Sequence, residues 1–301
     1  MGVVEKLSGV LHRHLDAERM DRLRSLYFAG RRRLFPLMRM VHGTFGADDL
    51  VEHLRARFPE DFDVLMVHSS VNHMEPTYTG TPLDLVNALK TFCGPERTLV
   101  MPAFYFGDPE YPSVAATFAA KPRFDLRRTP SQMGLATELF RRTRGAFQSR
   151  HPVYRVSAFG PMAEELVRGH ETAGTPSGTG TPFDFMAKHR TLILGVGKFS
   201  DVLTQVHHIE DVMGDEFPVP ATSGEPIDLT VVDKGEDIPV RIGQRGFQWR
   251  RDMGRLYELM PKGALHEWRF HHVPMFSTHA HAVSESLEAA ARDGRTLYIP
   301  R

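Results

Sequence analysis

A single cysteine, Cys93, stands among 301 residues, so the chain closes no internal disulfide and suits a reducing compartment. Net charge is missing as well. The 37 Lys and Arg balance 37 Asp and Glu, which removes the whole-protein field that would draw in nucleic acid. No apolar run approaches the roughly 20 residues of a membrane helix, and the N-terminus has no secretory apolar core. Lys6 stands where N-myristoylation requires Ser or Thr. With those classes set aside, the expectation is a cytoplasmic globular protein, with length enough for one large domain or two modest ones.

The first 40 residues differ from the rest, carrying nine Lys or Arg against four acids. Val4, Leu7, Leu11 and Leu15 form an apolar stripe at helical spacing, and Leu23, Leu26 and Tyr27 suggest a second one before Arg31-Arg32-Arg33. Residues 1–44 therefore read as a basic helical extension, packing on the main domain or on a second copy of the chain in a homodimer. Contact with a membrane surface or an acidic partner is the other reading.

Residues 45–301 read as one α/β domain. Amphipathic 48–58 predicts a helix, and the apolar runs 63–70, 97–106 and 190–197 predict buried strands. Thr81-Pro82-Leu83-Asp84 has the grammar of a helix start, with Gly94-Pro95 as its stop. The same grammar recurs at Thr129-Pro130, where Gln132 completes a capping box, and at Thr181-Pro182 with Asp184. Strands alternating with helices indicate a parallel or mixed sheet with helices on its faces. Two long loops, 106–128 and 170–182, have the character of lids or binding loops. Beyond 223 come short strands and then a charged helix near 250–260.

The stretch TQVHHIEDVMGDEF, residues 204–217, holds two histidines and four acids within ten positions. His207 and Glu210 share a helical face, so three readings stand: a metal pair, an acid–base pair, or a solvated helix face. A catalytic metal needs a third ligand, which His271, His272, His279 or His281 would have to supply. The acids Asp201, Glu210, Asp211, Asp215 and Glu216 would attract a cationic substrate. His68, Ser69 and Ser70 lie where a strand meets a loop, the usual ligand position in open α/β sheets, but the surrounding residues lack the nucleophile elbow G-x-S-x-G. GVGKFS at 195–200 lacks the upstream glycine of a phosphate-binding loop. Cys93 has no base beside it, and His151, fixed ahead of Pro152, reads more readily as structural than catalytic. Trp249 and Trp268 read as packing.

Taken in order, VLMVHSSV, GPERTLVMPAF, FDLRRTPSQMGLATELFRR, QSRHPVYRVSAFGPMAEELVRGH, GTPFDFM and LILGVGKFSDVLTQVHHIED resemble the aminoglycoside 3-N-acetyltransferase family over roughly residues 45–215. The resemblance implies a single α/β/α domain around a central mixed sheet. It also implies transfer of an acetyl or other acyl group from CoA to an amine of an aminoglycoside or amino sugar, with no metal required. Thr204, His207 and Glu210 fall on the family's Thr…His-x-x-Glu, and His151 with Pro152 on its His-Pro. His68, Ser69 and Ser70 fall on its His-Ser-Ser loop, and Thr129, Pro130, Ser131, Met133 and Gly134 on its Thr-Pro-Ser…Met-Gly. His207 is then the expected general base, Glu210 its orienter or the ammonium partner, and His151 a supporting polar group. The others are expected around acetyl-CoA, with the helix at Pro130 offering N–H groups to a phosphate or carbonyl. HSSVNHMEPTYTGTP departs from the drug-modifying pattern, as do His208, Asp211 and the basic extension. Amino-sugar acylation in polysaccharide or secondary-metabolite biosynthesis therefore stands beside antibiotic modification. A metal-dependent hydrolase and a catalytically silent binding protein are the rivals from other classes.

Overall fold

The computed structural model describes residues 30, 33–59 and 61–300, so the stripes from Val4 to Tyr27 lie outside the described residues. The described end of the N-terminal extension is a helix, Phe35–His42, with Pro36 in its first turn and no buried side chain.

Twelve strands are found among the described residues: β1 Val64–Ser69, β2 Thr98–Pro102, β3 Arg123–Asp125, β4 Phe147–Gln148, β5 Val156–Phe159, β6 Thr191–Val196, β7 Ala221–Asp233, β8 Glu236–Phe247, β9 Arg250–Arg251, β10 Leu265–Phe270, β11 Val273–His279 and β12 Tyr298–Ile299. The main sheet runs β10-β11-β6-β1-β2-β5-β4. Its centre, β6-β1-β2, is parallel and its flanks are antiparallel. Along β1, Val64 and Met66 enter one apolar layer while Leu65 and Val67 enter the other. Both faces are buried, which is why these strands read as continuous apolar runs without polar alternation.

Helices Ala47–Arg57, Pro82–Cys93 and Leu135–Arg141 cover one face; Ala163–Val167, Pro182–Lys188, Val206–Met213 and Ala280–Arg292 cover the other. The result is the α/β/α arrangement around a mixed sheet that the resemblance implied. Capping chemistry sets two helix starts as expected. Thr81 Oγ1 accepts from Asp84 N at 3.2 Å while Asp84 Oδ2 accepts from Thr81 N at 2.8 Å. Thr181 Oγ1 accepts from Asp184 N at 3.4 Å.

Thr129-Pro130 does not start a helix. The helix there is Leu135–Arg141, entered through Gly134 at φ 102°. Long-range partners take the backbone groups that a helix would have used. The fully buried Arg155 donates to the carbonyls of Leu126 at 2.7 Å and Thr129 at 3.1 Å, Gln132 N reaches Phe104 O at 3.0 Å, and Ser131 N reaches Glu138 Oε2 at 2.8 Å. The 106–128 loop contains a helix, Val114–Ala120, and β3. The short strands expected after 223 are one long hairpin, β7–β8, with a register shift between Gly224 and Ile227. It pairs with β3 in a three-stranded sheet that has its own apolar cluster around Phe118, Phe124 and Val231. The charged helix expected at 250–260 shrinks to Leu256–Leu259, because residues 250 and 251 form β9 and pair with β12.

Candidate active site

The chain leaves β6 through a turn at Gly197, φ 74°, where a Cβ would overlap the carbonyl oxygen of Ser70. It then runs into the Val206–Met213 helix, whose start is fixed by buried Gln205 donating to Phe183 O at 3.0 Å and Ser284 Oγ at 3.3 Å. Val206 and Ile209 enter the core, while His207, Glu210 and Asp211 line a cavity of about 670 Å³. That volume suits a small-molecule site. Its other walls are His151 and Tyr154, the Gly174–Ser177 loop, the β7–β8 hairpin and Arg251.

His207 Nδ1 lies 3.1 Å from Glu210 Oε2, and the Glu210 side chain is 6% exposed. Arg251 Nη2 reaches Glu210 at 2.6 Å and also contacts the hydroxyl of Tyr298, which itself donates to Glu210 Oε1 at 3.1 Å. Arg251 Nη1 meets His207 Nε2 at 3.2 Å. The protons fit one arrangement: Nδ1–H donates to the Glu210 carboxylate, and the Nε2 lone pair accepts from Nη1. The two hydrogens of Nη2 go to Glu210 and Tyr298, so its 3.2 Å approach to Nδ1 is a contact and not a hydrogen bond. His207 thus presents a basic nitrogen, with an arginine resting on it. Burial, with Glu210 next, holds the Tyr298 phenol protonated well above its ordinary range.

The expected excess of negative charge is spent inside the protein. Glu210 is held by Arg251 and Tyr298. Asp211 Oδ2 accepts from Ser177 N at 2.8 Å and Ser177 Oγ at 2.6 Å, and burial raises its pKa. Asp201, Asp215 and Glu216 are exposed and do not line the cavity. His208 Nδ1 donates to Ser177 O at 2.7 Å. His208 and Asp211, both departures from the family pattern, therefore clamp the Gly174–Ser177 wall onto the helix.

His151 lines the cavity. Its Nδ1 accepts from the backbone N–H of Tyr154 at 2.9 Å and of Val153 at 3.2 Å, so the proton sits on Nε2. Burial, then the neighbouring His170, depresses its pKa far below the ordinary value. His170 stacks on it at 4.8 Å and bonds Ser149 Oγ and Pro176 O, holding the base of the same loop.

His68, Ser69, Ser70, Thr129, Ser131, Met133, Gly134 and Thr204 do not line the cavity. His68 is buried and stacked on Phe276, with Thr204 Oγ1 3.5 Å from its Nε2. Ser70 caps the Val71–Met74 helix; Met133 packs on the core; Thr129 and Ser131 serve the Arg155 and Glu138 networks. Sequence reasoning missed Arg251, Tyr298, Arg245 and Ser177. Glu210 and Arg251 are 41 positions apart, and only the β9–β12 pairing brings Arg251 and Tyr298 together.

Among the described residues, no group of three His, Cys, Asp or Glu side chains is arranged to hold a metal ion. His271 bonds His42 O, His272 bonds Thr77 and Glu75, His279 packs at a tilt against His281, and none of the four lines the cavity. Burial pushes the Cys93 thiol up to about 12, so it carries no thiolate at neutral pH. No described helix is long and apolar enough to cross a membrane.

The family model of the aminoglycoside 3-N-acetyltransferases matches residues 66–290. The chain belongs to this family. Among its relatives, aminoglycoside N(3)-acetyltransferase IX of Micromonospora chalcea is 29% identical over 50% of the chain and 56% of the relative. Aminoglycoside N(3)-acetyltransferase IV of a Salmonella species is 32% identical over 52% of the chain and 55% of the relative. The chain thus spans a little over half the length of these two relatives. Solved structures share the fold over more of it. AAC-IIIb with CoASH superposes with a TM-score of 0.67 at 20% identity, covering 85% of this chain and all of that one. Sisomicin-bound AAC-VIa gives 0.67 at 21% identity, covering 82% and 99%.

Proposed function

We propose that this acetyltransferase-family chain moves an acetyl group from acetyl-CoA to an amine on an aminoglycoside or amino-sugar acceptor, with His207 as general base. One observation carries the reading: the His207–Glu210 pair lies on the wall of the large cavity, with Nδ1 engaged by carboxylate and Nε2 left as the basic atom. Bound acetyl-CoA supplies a thioester carbonyl and a thiolate that leaves readily, so no enzyme nucleophile is needed.

A protonated amine cannot attack a carbonyl. His207 Nε2 takes the proton as the amine displaces Arg251 Nη1 from that lone pair, and Glu210 steadies the imidazolium that forms. His151, fixed with its proton on Nε2, is the donor for the oxygen that gains charge. Gly174, Gly224, Gly243 and Gly246 line the cavity, so part of its wall lacks side chains, a surface along which the slender pantetheine arm can lie. The cavity lining favours that surface for CoA over the His68–Ser70 loop and the Thr129–Gly134 segment.

The test is thiol release from acetyl-CoA by the purified full chain, across a panel of aminoglycosides and amino-sugar nucleotides. Amine-dependent release is expected. Release from no amine, together with no binding of CoA, would refute the reading; tight CoA binding without release on any amine would return the silent-binder reading.

A further inference from the structure

We propose that the acceptor carries an anionic group, a carboxylate or phosphate, within a few bonds of the amine that is acetylated, and that Arg251 and Arg245 read it. The proposal rests on the transferase reading and names the acceptor class for the same cavity.

Four charged side chains, apart from the histidines, line that cavity: Glu210, Asp211, Arg245 and Arg251. Both carboxylates are consumed within the protein, one by Arg251 and Tyr298, the other by Ser177. A polycationic acceptor therefore meets no free carboxylate on these walls. Arg251 is held by Glu210 in return, so of its guanidinium only Nη1, against His207, can be turned to a ligand, whereas Arg245 is freer. Arg245 contacts the carbonyl of Gly214, and its carboxylate neighbour is Asp215, 3.9 Å away and fully exposed, where solvent screens the pair. The Nε atoms of Arg245 and Arg251 have no acceptor within the protein, but both are buried beyond a ligand's reach, so only the Nη groups can meet an anion.

Reaction geometry adds a second argument. An amine that takes the Nε2 lone pair of His207 displaces Arg251 Nη1, which now sits 3.2 Å from that atom. The displaced guanidinium edge then faces whatever is bonded next to the amine nitrogen. A cationic substituent repels those N–H groups and a neutral hydroxyl accepts only weakly from them. A carboxylate or phosphate takes them, and a fork-shaped donor is suited to it. Arg245, on β8 across the cavity wall, supplies further positive charge.

Matched amines test this in the full-length protein. Glucosamine is compared with glucosamine 1-phosphate and with glucosaminic acid, whose carboxylate sits on the amine-bearing carbon, alongside the polycation sisomicin. Both kcat/KM and calorimetric affinity are read. Each anionic member is expected to exceed its neutral partner by about tenfold or more, the worth of one charge-assisted hydrogen bond. Arg245→Met and Arg251→Met should each shrink that ratio to within about threefold. Turnover with equal preference, or with sisomicin ahead, overturns the proposal and leaves the transferase reading standing. Arginine-dependent binding of the anionic amines without any turnover sinks the transferase reading and the acceptor assignment with it, leaving an anion site at the two arginines. The phosphates of CoA are the other source of negative charge. If Arg245→Met weakens CoA as much as the anionic amines, the guanidinium serves the donor and the proposal is wrong.

Discussion

Replacing Asp211 by alanine removes one acceptor from two donors of Ser177, its N–H at 2.8 Å and its hydroxyl at 2.6 Å. Ser177 is 1% exposed, so water cannot step in without opening the loop. A buried donor left unmade costs about 1–3 kcal/mol. The hydroxyl has a second acceptor, the His207 carbonyl at 3.1 Å, and can turn to it, so most of the loss falls on the N–H. We expect Asp211→Ala to lose about 2 kcal/mol and to free the Gly174–Ser177 wall, raising the acceptor KM more than it lowers kcat. Asp211→Asn keeps an oxygen acceptor and removes a charge that burial disfavours, so it should stay within about 1 kcal/mol of the parent. The pH dependence separates the two terms. Because burial raises the pKa of Asp211 in the folded state, its ionisation costs stability as pH rises from the unfolded value through the folded one. Asp211→Asn should therefore gain on the parent across that window, and the gain should hold at neutral pH. Urea unfolding at pH 4, 5 and 7, with hydrogen exchange at the Ser177 amide, reads both effects. Equal stability of the Ala and Asn variants, or an unchanged Ser177 exchange rate, would refute the clamp.

Other expectations follow from the same structure. Burial depresses His68 to about 3 and His170 to about 4, and His151 far below its ordinary value. Below pH 6.5 the unfolded chain takes up protons that these folded residues refuse. Stability, complete above that pH, should then fall by up to about 4 kcal/mol per pH unit for the three together, at roughly 1.4 each. Flat stability between pH 6.5 and 5 would show that the rings are solvated. Gly197→Ala places a Cβ on the Ser70 carbonyl at a left-handed φ and should cost about 2 kcal/mol or more in denaturant unfolding. A neutral result would mean that the turn into the Val206–Met213 helix is not tightly packed.

Local chemistry was readable where local partners decide the structure. Thr81 with Asp84 and Thr181 with Asp184 cap their helices because donor and acceptor lie three residues apart. The same signature at Thr129 failed because Arg155, 26 positions away, took the carbonyl that a helix would have used. His207 and Glu210 were legible as a pair on one helical turn. Their third partner, Arg251, was not, because a helical charge pattern near 250 gives no hint of the β9–β12 pairing that aims the side chain. The acidic run could not be apportioned for a related reason. Composition counts carboxylates, whereas Ser177, Tyr298 and Arg251 determine which remain free.

Replacing His207 by alanine tests the centre of the account. Steady-state acetyl transfer and CoA binding should be measured on the same preparation. The account predicts kcat lower by about 10²–10⁴-fold, with the dissociation constant of CoA within about twofold of the parent. A variant that turns over at the parental rate would contradict it.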